Sequence, residues 1–477
     1  MTGPVQLHTT EGRRDSIRLF LCGDFMPGRG IDQILSHPCS PFLHEHYVHS
    51  AMDYVRLAEE ANGPIPRCVG PSYVWGVALD ELNRMQPDGR IINLETSVTR
   101  SEDYAPKGIN YRMSPEDADC LKVAAVDCCV LANNHVLDWG RRGLLETLST
   151  LERLQIKTAG AGRNLDQAGA PAVLDIAGKA RMLVFSFGCV TSGTPRSWVA
   201  TRETPGVNLV TDLTEATASR VADQIARVKR PRDLVIVSVH WGPNWGYEVP
   251  AEERLFARRL IDEAGVSIIH GHSSHHAKAI EVYRDRLILY GCGDFLNDYE
   301  GIRGYEEYRG DLPLMYFADV APGGTLAGLE IVPLQIRKFQ LIHPSKQDID
   351  WMHQTLDWES RRFGASVTSN HDGRLALSWL NGTGQPVSGA RSSENPKEPQ
   401  RQMSEVRMKV TTGGRSRSTV PKGRRKHHSY DESVNEPATL IEDEPVEIQQ
   451  EVPAEENEPL ETIEENNNSN TPALRVI

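Results

Sequence analysis

Five polar fragments carry the residue types that bind metal ions and move protons. They are Cys22-Gly23-Asp24-Phe25, Asn93-Leu94-Glu95, Asn133-Asn134-His135, His240-Trp241-Gly242 and Gly271-His272-Ser273-Ser274-His275-His276. Each goes with a short apolar run: IRLFL, IINL, CCVLA, LVIVSV and VSII. Asp24 and Glu95 offer carboxylates, Asn134 an amide oxygen, and His240, His272 and His275 imidazoles, with His270 and His276 in reserve. Such a mixed donor set suits Mn, Fe or Zn. It suits a two-metal hydrolytic centre in particular, where ions about 3.5–4 Å apart activate water and hold a transferring oxyanion. Taken singly, Asp24 is equally a turn or helix-cap carboxylate, and Glu95 an ion-pair partner for Arg29 or Arg112.

These side chains need rigid elements to bring them together. Short apolar runs rich in β-branched residues read as buried strands. A donor at the end of each would project from one rim of a sheet. Between the strands, WGRRGLLETLSTLERLQI, TEATASRVADQIARVKR and AEERLFARRLIDEAG read as helices from their apolar spacing. AVLDIA and RMLVFSFG form an expected hairpin around Gly178-Lys179, and AIEVYRDRLILYG another. The order implies a mixed parallel and antiparallel α/β sandwich. Residues 37–75 form a helical insertion, with AMDYVRLAEEA as its helix, ended by Asn62-Gly63-Pro64. His44-x-His46 within it is a metal pair, a loop at the site mouth, or a solvated histidine cluster. Gly160-Ala161-Gly162 is read as a plain turn, because it lacks the third glycine of a nucleotide loop.

The chain has 477 residues, room for one large or two ordinary domains. No apolar stretch approaches the roughly 18 residues of a membrane span. The opening MTGPVQLHTTEGRRDS has no apolar core of the secretory kind. Eight cysteines without a C-x-x-C pair, several inside apolar runs, indicate buried free thiols in a reducing compartment. Cys22 or Cys292 as a nucleophile is the alternative to simple packing. The net charge of −13 is concentrated in an acidic run from Asp431 to Glu465, preceded by a basic cluster at Lys422 to His428. The globular part is therefore nearer neutrality, and no nucleic-acid partner is indicated. We expect a flexible N-terminus over residues 1–17, a domain over 18–380 and a disordered charged tail over 381–477.

GDFMPGR (Gly23 to Arg29), INLETSVT (Ile92 to Thr99), LANNHVLDWGRRGLLET (Leu131 to Thr147), HWGPNWGYE (His240 to Glu248) and LILYGCGDF (Leu287 to Phe295) occur in this order. Together they resemble the capsule synthesis protein CapA family, associated with poly-γ-glutamate. That family is similar to the calcineurin-like metallophosphoesterases. The resemblance spans about Arg18 to Pro333. It implies a metallophosphoesterase-like α/β sandwich with two divalent ions (Mn, Fe or Zn) held by Asp24, Glu95, Asn134, His240, His272 and His275. It also implies that His135 protonates a leaving group or stabilises an oxyanion, with Asp138 orienting it. Arg29, Arg112 and Trp241 are candidate contacts for an anionic small-molecule or polymer substrate, Arg112 equally a surface ion pair. Five positions depart from the family pattern. Met26 stands for a histidine, Glu95 for an aspartate, Ser273 and Ser274 for the histidine and proline of Gly-x-His-Pro-His, which reads Gly271-His272-Ser273-Ser274-His275 here, and Asp294 for an asparagine. The first metal position is accordingly expected to be altered. CapA-like chains are often anchored or exported, and without such a segment this one is expected to be cytoplasmic. Two functions follow as expectations: a metal-dependent hydrolase of a phosphoester or a poly-γ-glutamate-like polymer, or a non-catalytic synthesis or assembly subunit. An interaction scaffold working through the charged tail is a weaker third.

Overall fold

The computed structural model describes residues 16–388, apart from 47, 177, 382 and 383. Most of the expected N-terminal segment and of the charged tail lies outside the described residues.

Four strands open the chain and pair in parallel, in sequence order. They are β1 (Ile17–Phe25), β2 (Gly89–Leu94), β3 (Cys128–Val130) and β4 (Lys157–Ala159). The chain then builds a second sheet. β5 (Ala172–Ile176) and β6 (Ala180–Cys189) form the expected hairpin. β7 (Leu234–His240) and β8 (Ile268–His272) follow in parallel. β9 (Ile280–Tyr283) and β10 (Arg286–Leu289) close it as the second hairpin. Returning to the first sheet, β11 (Asp294–Leu296) lies parallel to the end of β1. β12 (Leu314–Val320) pairs antiparallel with the first half of β1 on the same side as β11, opposite β2, and β13 (Leu326–Pro333) pairs antiparallel with β12. β14 (Ala365–Ser369), β15 (Leu375–Leu380) and β16 (Pro386–Ser388) extend that edge. β16 lies past the boundary expected at residue 380.

The sheets stack face to face because their residues alternate with period two. Leu19 and Leu21 of β1 join Leu234 and Ile236 of β7 between the sheets. Phe20 and Cys22 face the opposite way, against α1 (Ala51–Asn62), α2 (Ala78–Met85) and α3 (Gly140–Arg153). Val235, Val237 and Val239 of β7 face α4 (Glu215–Ala226) and α5 (Ala251–Ala264). The result is a four-layer α/β/β/α sandwich of mixed sheets. α6 (Lys346–Arg361), with a Ser345–Asp348 capping box, packs Met352 and Leu356 into the inter-sheet core. Each fully buried Leu, Ile or Phe contributes about 1.5–3 kcal/mol. The packing between layers therefore fixes the strand ends far more firmly than the loops they carry. No helix among the described residues is long and apolar enough to cross a membrane.

Candidate metal centre

The donors expected from the sequence converge where β1, β2, β7 and β8 end. On β7 and β8 the period-two pattern sends Ser238, His240, His270 and His272 to the same side as Leu234, Ile236 and Ile268. Asp24 would face the other way, with Phe20 and Cys22, but for a register shift against β2 between Cys22 and Asp24. That irregularity re-aims the carboxylate into the space between the sheets.

Two metal-type groups meet there and share Asp24. One is Asp24, His240 and His272, and the other Asp24, His275 and Asp294; within each, one donor atom per residue lies within 4.8 Å of the others. His240 Nδ1 stands 2.7 Å from His272 Nδ1, and His272 Nδ1 3.9 Å from Asp24 Oδ1. His275 Nδ1 is 2.8 Å from Asp294 Oδ1. Glu95 Oε1 lies 3.6 Å from His240 Nε2, and Asn134 Oδ1 3.0 Å from the same nitrogen. Asn93 ties the acids together, its amide donating to Asp24 Oδ1 at 2.8 Å and to Glu95 Oε2 at 3.0 Å. Asn133 in turn donates to Asn93 Oδ1 and holds the His135 turn through the backbone N–H groups of His135 and Val136.

The electrostatics of this cluster fit a cation. Burial pushes the Asp24 carboxyl up to about 7, with Asp294 adding to the effect. Glu95 is pushed well above its usual range by burial and then by Asp24 and Asp294. Burial also drives His240 and His272 well below the usual imidazole value. Buried acids thus crowd against imidazoles that resist protonation, and Lys107 is the cation that eases Glu95. Carboxylate, amide oxygen and neutral imidazole are the ligands a borderline divalent ion takes, so the residues present fit the group.

His135 sits beside this cluster. Its Nδ1 is 2.7 Å from Asp138 Oδ2, and its Nε2 3.9 Å from Glu95 Oε1. Asp138 is fully buried, takes the Tyr111 backbone N–H at 2.6 Å and pairs with Lys107 Nζ at 2.9 Å. Burial lowers the His135 pKa to about 4, against the opposing pull of Asp138.

Eight of the residues singled out from sequence therefore come together: Asp24, Glu95, Asn134, His135, Asp138, His240, His272 and His275. Three candidate substrate contacts do not. The Arg29 guanidinium is buried between Asp298 and Glu45, against the Tyr54 ring. Arg112 stacks on Trp139 and donates to Ser101 and Ser40 carbonyls and to Glu102. Trp241 points into the outer core of the second sheet, its indole N–H on the Tyr290 carbonyl. All three are engaged in internal contacts, for the ordinary reason that buried polar atoms take partners. His44 stacks on Tyr104, and neither metal-type group includes it or His46. Cys22 and Cys292 are buried, and burial pushes both thiols well above the usual range, which suits packing.

Asp294 is the member that sequence reading passed over as a donor. Its signal was a repeat: Cys292-Gly293-Asp294-Phe295 duplicates Cys22-Gly23-Asp24-Phe25. β1 and β11 pair with Asp24 opposite Asp294, so the duplicated motif supplies two adjacent acids. Met26, in the place of the expected histidine, is fully buried.

Four layers with buried carboxylates and imidazoles at their strand ends make a mixed α/β sandwich with a candidate metal centre. The family model described as bacterial capsule synthesis protein PGA_cap matches residues 18–299, and the chain belongs to that family. It is 43% identical to a probable polyglutamine synthesis accessory protein of Mycobacterium tuberculosis, over 77% of this chain and 97% of that one. It is 24% identical to the capsule biosynthesis protein CapA of Bacillus anthracis, over 68% of each. It is 28% identical to the PGA biosynthesis protein CapA of Bacillus subtilis, over 52% of this chain and 61% of that one.

Proposed function

We propose that this chain is a metal-dependent hydrolase in the synthesis of a poly-γ-glutamate-like anionic polymer. Its substrate would be a phosphoester or the amide link of the polymer itself. The observation that carries the reading is the sharing of Asp24 between two donor groups, with His135 beside them. Asp24, His240 and His272 would hold one ion, and Asp24, His275 and Asp294 the other, with Glu95 and Asn134 completing the set. Bound Mn, Fe or Zn would supply a Lewis acid and an activated water. Around that chemistry the chain's own groups act on protons. His135 donates Nδ1–H to Asp138, which leaves Nε2 facing the reacting side. An anionic substrate there favours the charged imidazole. His135 thus gains a proton as substrate arrives and returns it to the departing oxygen or nitrogen. Lys107 braces the Asn134 carbonyl and Asp138, which holds the dyad in register.

A non-catalytic assembly subunit is the second reading. Met26 in place of a ligand and the internal engagement of Arg29 and Arg112 favour it. Reconstitution with Mn, Fe or Zn followed by elemental analysis separates the two. The hydrolase reading expects about two equivalents per chain and turnover of an aryl phosphate or cleavage of poly-γ-glutamate. No bound metal sinks it; metal without turnover of either substrate supports the assembly subunit.

A further inference from the structure

Two tyrosines that the proposed reaction does not use connect the His135 and His275 sides of the metal centre. The Tyr111 ring meets the His135 ring edge-on, with centroids 4.6 Å apart and planes at 85°. The Tyr299 ring meets the His275 ring in the same way, at 5.4 Å and 82°. The two hydroxyl oxygens are 3.0 Å apart and hydrogen-bonded. Each tyrosine is also tied to its histidine through its backbone. The Tyr111 N–H donates to Asp138, the partner of His135 Nδ1. The Tyr299 N–H donates to Asn297 Oδ1 at 3.1 Å. The Asn297 amide donates at 2.7 Å to Asp294, the partner of His275 Nδ1.

The Arg29 guanidinium is the seat of this pair. Its carbon lies 4.6 Å from the Tyr111 ring centroid and 5.9 Å from that of Tyr299, within the roughly 6 Å over which a cation is drawn to a ring. Asp298 takes the guanidinium in a two-pronged pair at 2.9 and 2.6 Å, and Glu45 takes a further N–H at 3.1 Å. Asp298 directly precedes Tyr299, so the same fork fixes the segment that carries that ring. The Arg29 backbone is left-handed, at φ 51°, a region that residues other than glycine seldom enter. Packing alone would require neither hydroxyl, since phenylalanine fills nearly the same space. The hydroxyl bond joins the β2–β3 connection to the segment after β11, 188 residues further along the chain.

We infer that Tyr111 and Tyr299 are positioning residues: their hydroxyl pair, seated on the Arg29 guanidinium, holds His135 in a set place relative to His275 and to the ion that His275 would bind. A displacement of about 1 Å can cost about 10²-fold in rate. Loss of one hydroxyl loosens the pair and leaves both rings, so a smaller share, about 3–10-fold in turnover, is expected.

The inference rests on the hydrolase reading, and its test has an arm that does not. Tyr111→Phe and Tyr299→Phe each remove one hydroxyl and keep the ring. In the zinc-reconstituted full chain, with aryl phosphate or poly-γ-glutamate as substrate, each should lower kcat about 3–10-fold and leave KM unchanged. The double variant should lose no more than either single one, because both remove the same bond. In a His135→Ala background Tyr111→Phe should cost nothing further, since it acts through His135. The second arm is NMR of the histidine ring protons in the chelator-treated full chain. Tyr299→Phe leaves Tyr111 and His135 themselves unchanged, yet it should shift the His135 signals by releasing the Tyr111 ring. An unchanged kcat, a raised KM in its place, additive losses or a further loss in the His135→Ala background overturns the inference. Unmoved His135 signals in Tyr299→Phe overturn it as well. Should the unsubstituted chain turn over neither substrate, the hydrolase reading fails, while the NMR arm still decides whether the pair holds His135.

Discussion

Asp24→Asn tests the shared acid, because its effect should change sign with metal. The Asp24 carboxyl is fully buried and its pKa is pushed to about 7, against 3.8 for the ordinary group. A folded-state pKa raised in this way contributes stability that is fully present below the unfolded value and is lost as pH rises through about 7. At about 1.36 kcal/mol for each unit, the ionised form costs the metal-free fold about 4 kcal/mol at pH 8 and above. The neutral amide of the Asp24→Asn chain would escape that cost. It would also set an amide N–H against one of two existing donors, Asn93 Nδ2 or the Ser273 backbone N–H. An unsatisfied donor costs about 1–3 kcal/mol. The net gain is about 1–3 kcal/mol at pH 8; near pH 4, where the ionisation cost is absent, the unsatisfied donor leaves Asp24→Asn about 1–3 kcal/mol less stable than the unsubstituted chain. At about 2.1 cal/mol/K of unfolding entropy per residue, the gain raises Tm at pH 8 by roughly 1–4 °C. Metal reverses the order. Zinc at about 100 times its Kd adds about 2.7 kcal/mol to the unsubstituted chain and little to Asp24→Asn. The assay is thermal unfolding at pH 4.5 and 8, with chelator and with zinc. Equal stabilisation of both chains by zinc refutes the assignment of Asp24 to both groups. A lower Tm for Asp24→Asn in chelator at pH 8 refutes the electrostatic reasoning.

The remaining expectations concern single side chains. His135→Ala should keep its metal and lose about 10²–10⁴-fold in turnover, the usual share of positioned proton transfer; His240→Ala should lose metal and activity together, and identical metal loss in both would show the assigned roles to be wrong. Asp294→Asn removes the carboxylate from the His275 group alone, so elemental analysis should find about one equivalent where the unsubstituted chain has about two; unchanged stoichiometry would put Asp294 outside the centre. Gly23→Ala should destabilise severely, since a Cβ there would lie 1.7 Å from the Gly293 carbonyl oxygen; an unchanged melting temperature would mean that β1 and β11 do not approach as described.

The sequence by itself marked β1–β3 and β5–β10 as strands, because apolar runs and their alternation follow from which faces are buried; β11, β12 and β13 were not among them. It also indicated that donors sit toward the C-terminal ends of those strands, since each apolar run is followed by a carboxylate, amide or imidazole. The family resemblance named Asp24, Glu95, Asn134, His240, His272 and His275 as metal ligands and His135 with Asp138 as a dyad, and the fold gathers these eight residues in one place. The tertiary structure decided the rest. Local pattern alone sends Asp24 to the wrong face, and only the register shift against β2 turns it inward. Asp294 becomes a donor because β11 returns to lie beside β1, a pairing between opposite ends of the domain that no local window contains. Arg29, Arg112 and Trp241 read as substrate contacts from their neighbours in sequence. Folding commits them to Asp298, Trp139 and Tyr290 instead, partners distant in the chain whose contacts satisfy those groups once water has been excluded.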